Sequence, residues 1–521
     1  MQQLNGFDSA FLFMETPNAP MHIGSVAIFD PSTAPAKIVR LKRIIKTLED
    51  RAHLAPYLRQ RLVEVPFNAD FPYWIRDETF DPEFHIRHIA LPKPGDWRQL
   101  CIQIARLHSR PLDRAHPLWE LYVIEGLDNV AGIPQGSFAF LSKTHHAAID
   151  GTSSHDVGSA LCDLTPEIRK IPADKKWKAD RHPSALELSL MAQQNNLMRP
   201  QRYLEFLQKT MPSWRKTLEV MSNGGADSSD RIPRTRFNAV LSPHRVFEGI
   251  YFPLSDIKQI KNQVGGTVND AVLGICAGAM RRYLLDKNEL PEESLVTMCP
   301  INVRDPNAKK DGGNQVVSMT VPLHTDITDP AKRLAAIKKS TSEAKELTSA
   351  VSAKSMLEAA NFVPSQLSVL GARVAAEQGL ANFVSPVANT VVTNVPGSPV
   401  PFYSNGAQFV RGWGLGPSVD GNGLFHSVGS HCNELTIGFT CCRDMMPDPA
   451  FYADCLKQSM AELMQAFNLQ AESTSPAKQT KPKPAVRKTA VRKTAARKAP
   501  VKKTTRKKNR TIKQAPAGST K

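Results

Sequence analysis

The chain has 521 residues, 41% of them hydrophobic and 22% charged, a composition that excludes a wholly disordered protein and describes a soluble globular one. No apolar run approaches the ~18 residues that span a bilayer, the nearest being Ala271 to Met280. The net charge of +17 is confined: Pro476 to Lys521 holds 17 Lys and Arg with no acidic residue, and residues 1–475 balance 49 basic against 49 acidic side chains.

The N-terminus, Met1-Gln2-Gln3-Leu4-Asn5-Gly6, lacks the basic-then-apolar layout of a secretory signal, so a cytoplasmic location is expected. Strand patterns run over Met21 to Phe29, Leu118 to Ile124 and Ser137 to Thr144, and helical ones over Ile38 to Ala55 and Leu100 to Arg110. The third strand leads into His145-His146-Ala147-Ala148-Ile149-Asp150-Gly151. Alternation along it sends His145 and His146 to opposite sides, so the doublet is not a pair of equivalent catalytic histidines. Gly151-Thr152-Ser153-Ser154 opens a segment that reads as a helix. Asp150 stands at that junction, where a carboxylate either caps the helix or pairs with an arginine.

From about Pro166 to Asn238 the chain turns polar, with two helical patterns, Ala185 to Asn196 and Arg202 to Val220. The second mixes Tyr203, Phe206, Met211 and Trp214 with Arg202, Lys209, Arg215 and Lys216. It reads either as a helix bridging two domains or as one resting on lipid. A second α/β region follows: a helix from Thr267 to Leu285, rich in small residues, and strands Leu295 to Pro300, Gln315 to Leu323, Ala388 to Thr393 and Leu435 to Thr440. The tail, Pro476 to Lys521, repeats Ala-Val-Arg-Lys-Thr imperfectly and has no aromatic residue. Disorder is expected of it, with non-specific attraction to nucleic acid or to an anionic lipid surface. The eight cysteines (Cys101, Cys162, Cys276, Cys299, Cys432, Cys441, Cys442 and Cys455) form no Cys-x-x-Cys pair, so neither a zinc site nor a disulfide framework is expected.

The pattern His-His-x-x-x-Asp-Gly resembles the signature of acyltransferases related to chloramphenicol acetyltransferase and to nonribosomal peptide condensation domains. Further blocks narrow the resemblance. These are Asp8-Ser9-Ala10-Phe11-Leu12-Phe13-Met14-Glu15 followed by Pro20-Met21-His22-Ile23-Gly24, then Pro117-Leu118-Trp119, Asn269-Asp270, Pro300-Ile301-Asn302-Val303-Arg304 and Thr393-Asn394-Val395-Pro396-Gly397. In that order, over about residues 1–468, they resemble the bacterial wax ester synthase/diacylglycerol acyltransferase family. Ser398 and Pro399 depart from it, since proline more often follows Val-Pro-Gly directly.

The resemblance implies an α/β, two-domain chloramphenicol-acetyltransferase-like fold with the active-site channel between its halves. The boundaries expected are 1–165, a helical crossover at 166–238, a second half at 239–470 and a disordered tail at 471–521. It implies transfer of a long-chain acyl group from acyl-coenzyme A, a co-substrate rather than a bound cofactor, to diacylglycerol or a fatty alcohol. His146 would be the general base, His145 would support it, and Asn269 would hydrogen-bond the oxyanion or the acceptor. Gly151, Asp270 and Arg304 would be structural, with Arg304 the partner of Asp150 if that residue is not simply a cap. An imidazole of ordinary pKa suits both proton transfers, and no Ser or Cys stands in a nucleophile-elbow context. The enzyme is expected at a membrane or lipid-inclusion surface. The competing reading is a nucleic-acid- or membrane-tethering protein that works through its tail.

Overall fold

The computed structural model describes residues 1–148, 160–172, 177–223, 232–302, 316–350 and 360–470. After the short strand β1 (Gln2–Gln3), Asn5 caps helix α1 (Gly6–Met14) by accepting the Asp8 N–H at 2.7 Å. The chain then lays down β2 (His22–Asp30), α2 (Leu41–Arg51), β3 (Gln60–Val63), β4 (Tyr73–Arg76), α3 (Pro82–His85), β5 (Ile86–Ala90), α4 (Trp97–His108), β6 (Trp119–Glu125) and β7 (Phe138–His145). The expected strands fall within a residue or two of β2, β6 and β7. The two helices expected between 185 and 220 are one, α5 (Ala185–Asn223), which runs through Pro200.

The later chain gives β8 (Arg245–Pro253), α6 (Leu254–Gln263), α7 (Val268–Asp286), β9 (Val296–Asn302), β10 (Val316–Pro322), α8 (Pro330–Ala350), α9 (Ser365–Glu377), β11 (Thr390–Val395), β12 (Tyr403–Ser404), β13 (Ala407–Leu415), β14 (Leu424–His431), β15 (Glu434–Cys442) and α10 (Pro449–Ala466).

Two six-stranded sheets organise the described residues, in the orders β12-β13-β2-β7-β6-β5 and β10-β9-β11-β14-β15-β8, beside a small sheet β1-β4-β3. In the first, β7 lies antiparallel between β2 and β6, with His145 opposite His22 and Thr144 opposite Trp119. Phe138 and Phe140 point one way, onto Ile44 and Leu48 of α2. Ala139 and Leu141 point the other way, onto Leu100 and Ile104 of α4.

Strands β12 and β13 come from late in the chain yet complete this first sheet, β13 running antiparallel to β2. Phe247 of β8 and Trp413 of β13 join the α4 cluster, so that core is shared between the sheets. Gly249 makes room for this: a Cβ there would sit 2.7 Å from the Trp413 indole. The second sheet is covered by α7, α8 and α10. Here Gly278 lets α7 approach α10 so closely that a Cβ would lie 2.1 Å from the Ser459 hydroxyl.

Candidate active site

Strand β7 stops at His145 because the next backbone groups turn aside to neighbouring elements. The His145 N–H donates to Leu118 O at 2.9 Å, the His146 N–H to Met21 O at 2.8 Å, and the Ala148 N–H back to His145 O at 2.9 Å. Ala147 is buried against Leu4, Leu12, Leu62, Leu112 and Leu118, which anchors the turn; Leu118 of Pro117-Leu118-Trp119 thus acts through packing.

The two rings part as alternation requires. His145 is fully buried, and its Nδ1 accepts the Ala147 N–H at 3.1 Å. An accepting Nδ1 puts the ring proton on Nε2. That nitrogen faces Glu15 Oε1 at 3.7 Å, an electrostatic contact rather than a direct hydrogen bond.

Glu15 is the C-cap residue of α1. Its Oε1 accepts the Met21 N–H at 3.1 Å, and its Oε2 accepts Arg114 Nε at 3.1 Å and Nη2 at 2.8 Å. Burial raises the Glu15 pKa, but His145 and Arg114 outweigh it and hold the carboxyl at about 2. Arg114 also donates to Leu12 O at 2.7 Å and Glu64 Oε1 at 3.2 Å, tying the turn, α1 and the small sheet together.

His146 lies on the other side, its ring stacked on Phe11 of α1 with centroids 3.9 Å apart and planes 13° from parallel. It is half-buried rather than surface-exposed, and burial pushes its pKa down to about 4. The ordinary pKa expected from sequence is therefore corrected: desolvation keeps this imidazole neutral, in its base form, through the physiological range.

Two residues back on β7, Lys143 has no solvent exposure; it donates to Arg110 O at 2.7 Å and to Glu120 Oε2 at 3.2 Å. The Tyr122 hydroxyl donates to the same carboxylate at 2.8 Å. His22 Nε2 donates to His108 O at 2.7 Å, and His108 Nε2 to Gly416 O at 3.2 Å. Burial drives both imidazoles down, His108 to about 3. His22 is a structural histidine beside the site.

Asp270 completes a capping box at the start of α7: its Oδ2 accepts the Thr267 N–H at 2.7 Å and hydroxyl at 2.8 Å, and its Oδ1 accepts the Thr341 hydroxyl at 2.7 Å. Asn269 is half-buried in the same turn. Asp150, Gly151 and Arg304 lie outside the described residues. His426, in strand β14, is buried between the Thr390 hydroxyl at 3.0 Å and the Tyr452 hydroxyl at 2.8 Å. No group of three or more His, Cys, Asp and Glu side chains able to hold a metal occurs among the described residues.

Two six-stranded sheets, the first completed by a strand from late in the chain and carrying a histidine doublet at the end of β7, are the architecture of the chloramphenicol-acetyltransferase-like fold. Residues 4–272 match the wax ester synthase/diacylglycerol acyltransferase catalytic domain and residues 312–464 the WS/DGAT C-terminal domain. The chain belongs to that family. A Mycobacterium tuberculosis relative, assigned as a diacylglycerol O-acyltransferase, is 31% identical over 476 residues, covering 91% of this chain and 92% of its own. The O-acyltransferase WSD of Acinetobacter baylyi is 28% identical over 466 residues, covering 86% and 93%. Among solved structures, the wax ester synthase/diacylglycerol acyltransferase from Marinobacter aquaeolei VT8 superposes with a TM-score of 0.64 at 26% identity, covering 90% of this chain and all of that one. The first condensation domain of the calcium-dependent antibiotic synthetase shares the fold, with a TM-score of 0.56 at 14% identity over 90% and 97%.

Proposed function

We propose that this acyltransferase moves a long-chain acyl group from acyl-coenzyme A to the hydroxyl of a diacylglycerol or a fatty alcohol, with His146 as general base. The observation that carries the reading is a half-buried imidazole stacked on Phe11 at the end of a strand, in a chain of this family. In this reading residues 1–165 and 239–470 are the two acyltransferase halves, 166–238 joins them, and β13 binds one to the other.

The imidazole takes the acceptor's proton as its oxygen bonds to the thioester carbonyl carbon. The C–S bond then breaks, and the imidazolium returns the proton to the departing thiolate, giving free coenzyme A and the new ester. A low pKa makes His146 a modest base but a strong conjugate acid, which favours the return of the proton. No acyl-enzyme is needed. His145 does not touch substrate in this scheme; with Glu15 and Arg114 it fixes the turn that aims His146.

Asn269 is assigned a hydrogen bond to the oxyanion or the acceptor oxygen, and Asp150 either the Arg304 pair or the helix cap. Non-additivity in an Asp150→Ala/Arg304→Ala double variant would mark the pair. The basic tail is read as an electrostatic attachment to an anionic lipid surface, separate from the chemistry.

The test is thiol release from palmitoyl-coenzyme A with diolein or hexadecanol as acceptor. Release that depends on either acceptor supports the reading and ranks the two; release with neither overturns it.

A further inference from the structure

The helix α9 is built inside out for a water-facing surface. Its inner side, which packs along α1, carries small or modest residues: Ser365, Val369, Ala372 and Ala376. Its outer side carries the large ones, with Leu367 62%, Leu370 58% and Val374 43% exposed. These three follow helical spacing and share one face. The helix's two charged residues, Arg373 and Glu377, pair with each other at 2.6 Å and add no net charge.

The 66–68 turn meets the start of α9, where the Ser365 hydroxyl donates to Asn68 O at 2.6 Å. That turn holds Phe67 at φ +58°, a left-handed conformation that bulky residues rarely adopt, with the ring 94% exposed. Past α9, Phe383 is 81% exposed in a segment that Arg234 pins through Ala381 O at 2.9 Å and Val384 O at 2.6 Å. Solvent offers these side chains nothing. A strained turn and an inverted helix, both braced by hydrogen bonds, present them nonetheless.

We propose that the outer face of α9, with Phe67 beside it, is a docking surface that inserts into the headgroup–acyl boundary of an anionic lipid bilayer. The site adjoins the 202–220 segment at Tyr203, whose ring centroid lies 5.3 Å from that of Phe362 just before α9. It rests on the acyl-transfer reading in one respect: an acceptor dissolved in lipid must reach His146 from a lipid surface.

Two observations favour lipid over a second copy of the chain. First, the chain carries its whole excess of positive charge in a tail without acidic residues, matching an anionic surface, and stable interfacial binding takes an apolar and an electrostatic signal together. Second, α9 lies by its inner side against α1, the helix that stacks Phe11 on His146 and places Glu15 on His145, so the helix that bears this face packs on the wall of the site.

The test uses the full chain and vesicles of phosphatidylcholine with phosphatidylglycerol at one fixed ionic strength, so that the tail contributes equally to every variant. A triple variant, Leu367→Gln, Leu370→Gln and Val374→Gln, keeps helix-forming residues and should fold. Its vesicle affinity should fall about tenfold or more below wild type, from the apolar area lost. In a second variant, Phe67→Trp, the fluorescence added over wild type should shift to the blue on binding and be quenched by brominated acyl chains. Unchanged affinity of the triple variant, or an added tryptophan that lipid does not quench, overturns the proposal. So does a wild-type dimer that the triple variant converts to monomer, which would make a second copy the occupant. Vesicle binding is read without turnover. Loss of binding in the triple variant with no thiol release from wild type would sink the acyl-transfer reading and leave the surface standing.

Discussion

The two six-stranded sheets distribute their buried polar groups differently. The second packs a large apolar cluster, running from Phe237 through α7 to Met464, beside polar groups spread over five strands: Arg245 and Glu248 of β8, Thr297 of β9, Thr390 of β11, His426 of β14 and Thr436 of β15. The first is interrupted at one end by His22, His108, Lys143, His145 and Glu120, all buried, with Glu15 and Arg114 beside them. Each buried polar group there costs desolvation free energy unless a partner restores it, and most have found one. In the mechanism proposed above, this arrangement aims the turn that carries His146. The first sheet gathers its buried polar groups around one turn, and the second scatters them along its strands.

Acid should have the largest effect, and on both sheets, since His22, His108 and His146 lie at the first and His426 in β14 of the second. Burial holds His146 and His426 at about 4 and His108 at about 3, with His22 driven well below its ordinary value. Their folded pKa values lie beneath the unfolded one near 6.5, so the unfolded chain binds more protons as pH falls. Stability is therefore complete above the unfolded value and lost as pH drops from there toward 4, at about 1.4 kcal/mol per pH unit for each histidine. Thermal melts across that window should show a steep decline. A melting temperature flat between pH 6.5 and 4.5 would mean these imidazoles are not desolvated.

Glu15→Ala should cost less, about 1–3 kcal/mol, by leaving Arg114 and the His145 edge unsatisfied. It should also lower kcat, since the turn loses its brace. Glu15→Gln should restore part of the stability but less of the rate, because an amide cannot match the carboxylate's charge. A Glu15→Ala protein with wild-type kcat would show that the brace has no part in aiming His146. On α7, which covers the second sheet, Gly278→Ala pushes a methyl into Ser459. It should destabilise by a similar ~1–3 kcal/mol yet leave kcat alone. Loss of turnover in that folded variant would break the contrast between the sheets. The smallest effect concerns rate against pH: kcat/KM should stay level from pH 8 down through the ordinary histidine range, because His146 keeps its base form there. An inflection near 6.5 that vanishes with His146 would show that the ring is not desolvated in solution.

The histidine doublet, its alternation and the strand that carries it were legible in the sequence, because a period of two is a local signal. So was the start of α7, where Thr267 and Asp270 stand at capping-box spacing. Glu15 was visible only as one letter of a recognised block. Its partner Arg114 is 99 residues away, and contacts at that separation leave no period to read. Strand β13 escaped for a related reason: Gly412 and Gly414 read as breakers, whereas they sit in a ladder on β2. The depressed pKa of His146 was invisible too, since desolvation depends on Phe11 arriving from another element. The exposed face of α9 shows helical spacing in sequence, but only the fold reveals that this face points outward.

The central claim is that the two histidines divide the work, one transferring protons and the other holding the turn. Thiol release from palmitoyl-coenzyme A should be followed side by side for wild type, His146→Ala and His145→Ala, each checked for folding by thermal melt. The account predicts a loss of roughly 10²–10⁴-fold for His146→Ala with modest change in stability. For His145→Ala it predicts greater destabilisation and a smaller loss of rate. Equal loss of rate in two well-folded variants would contradict it.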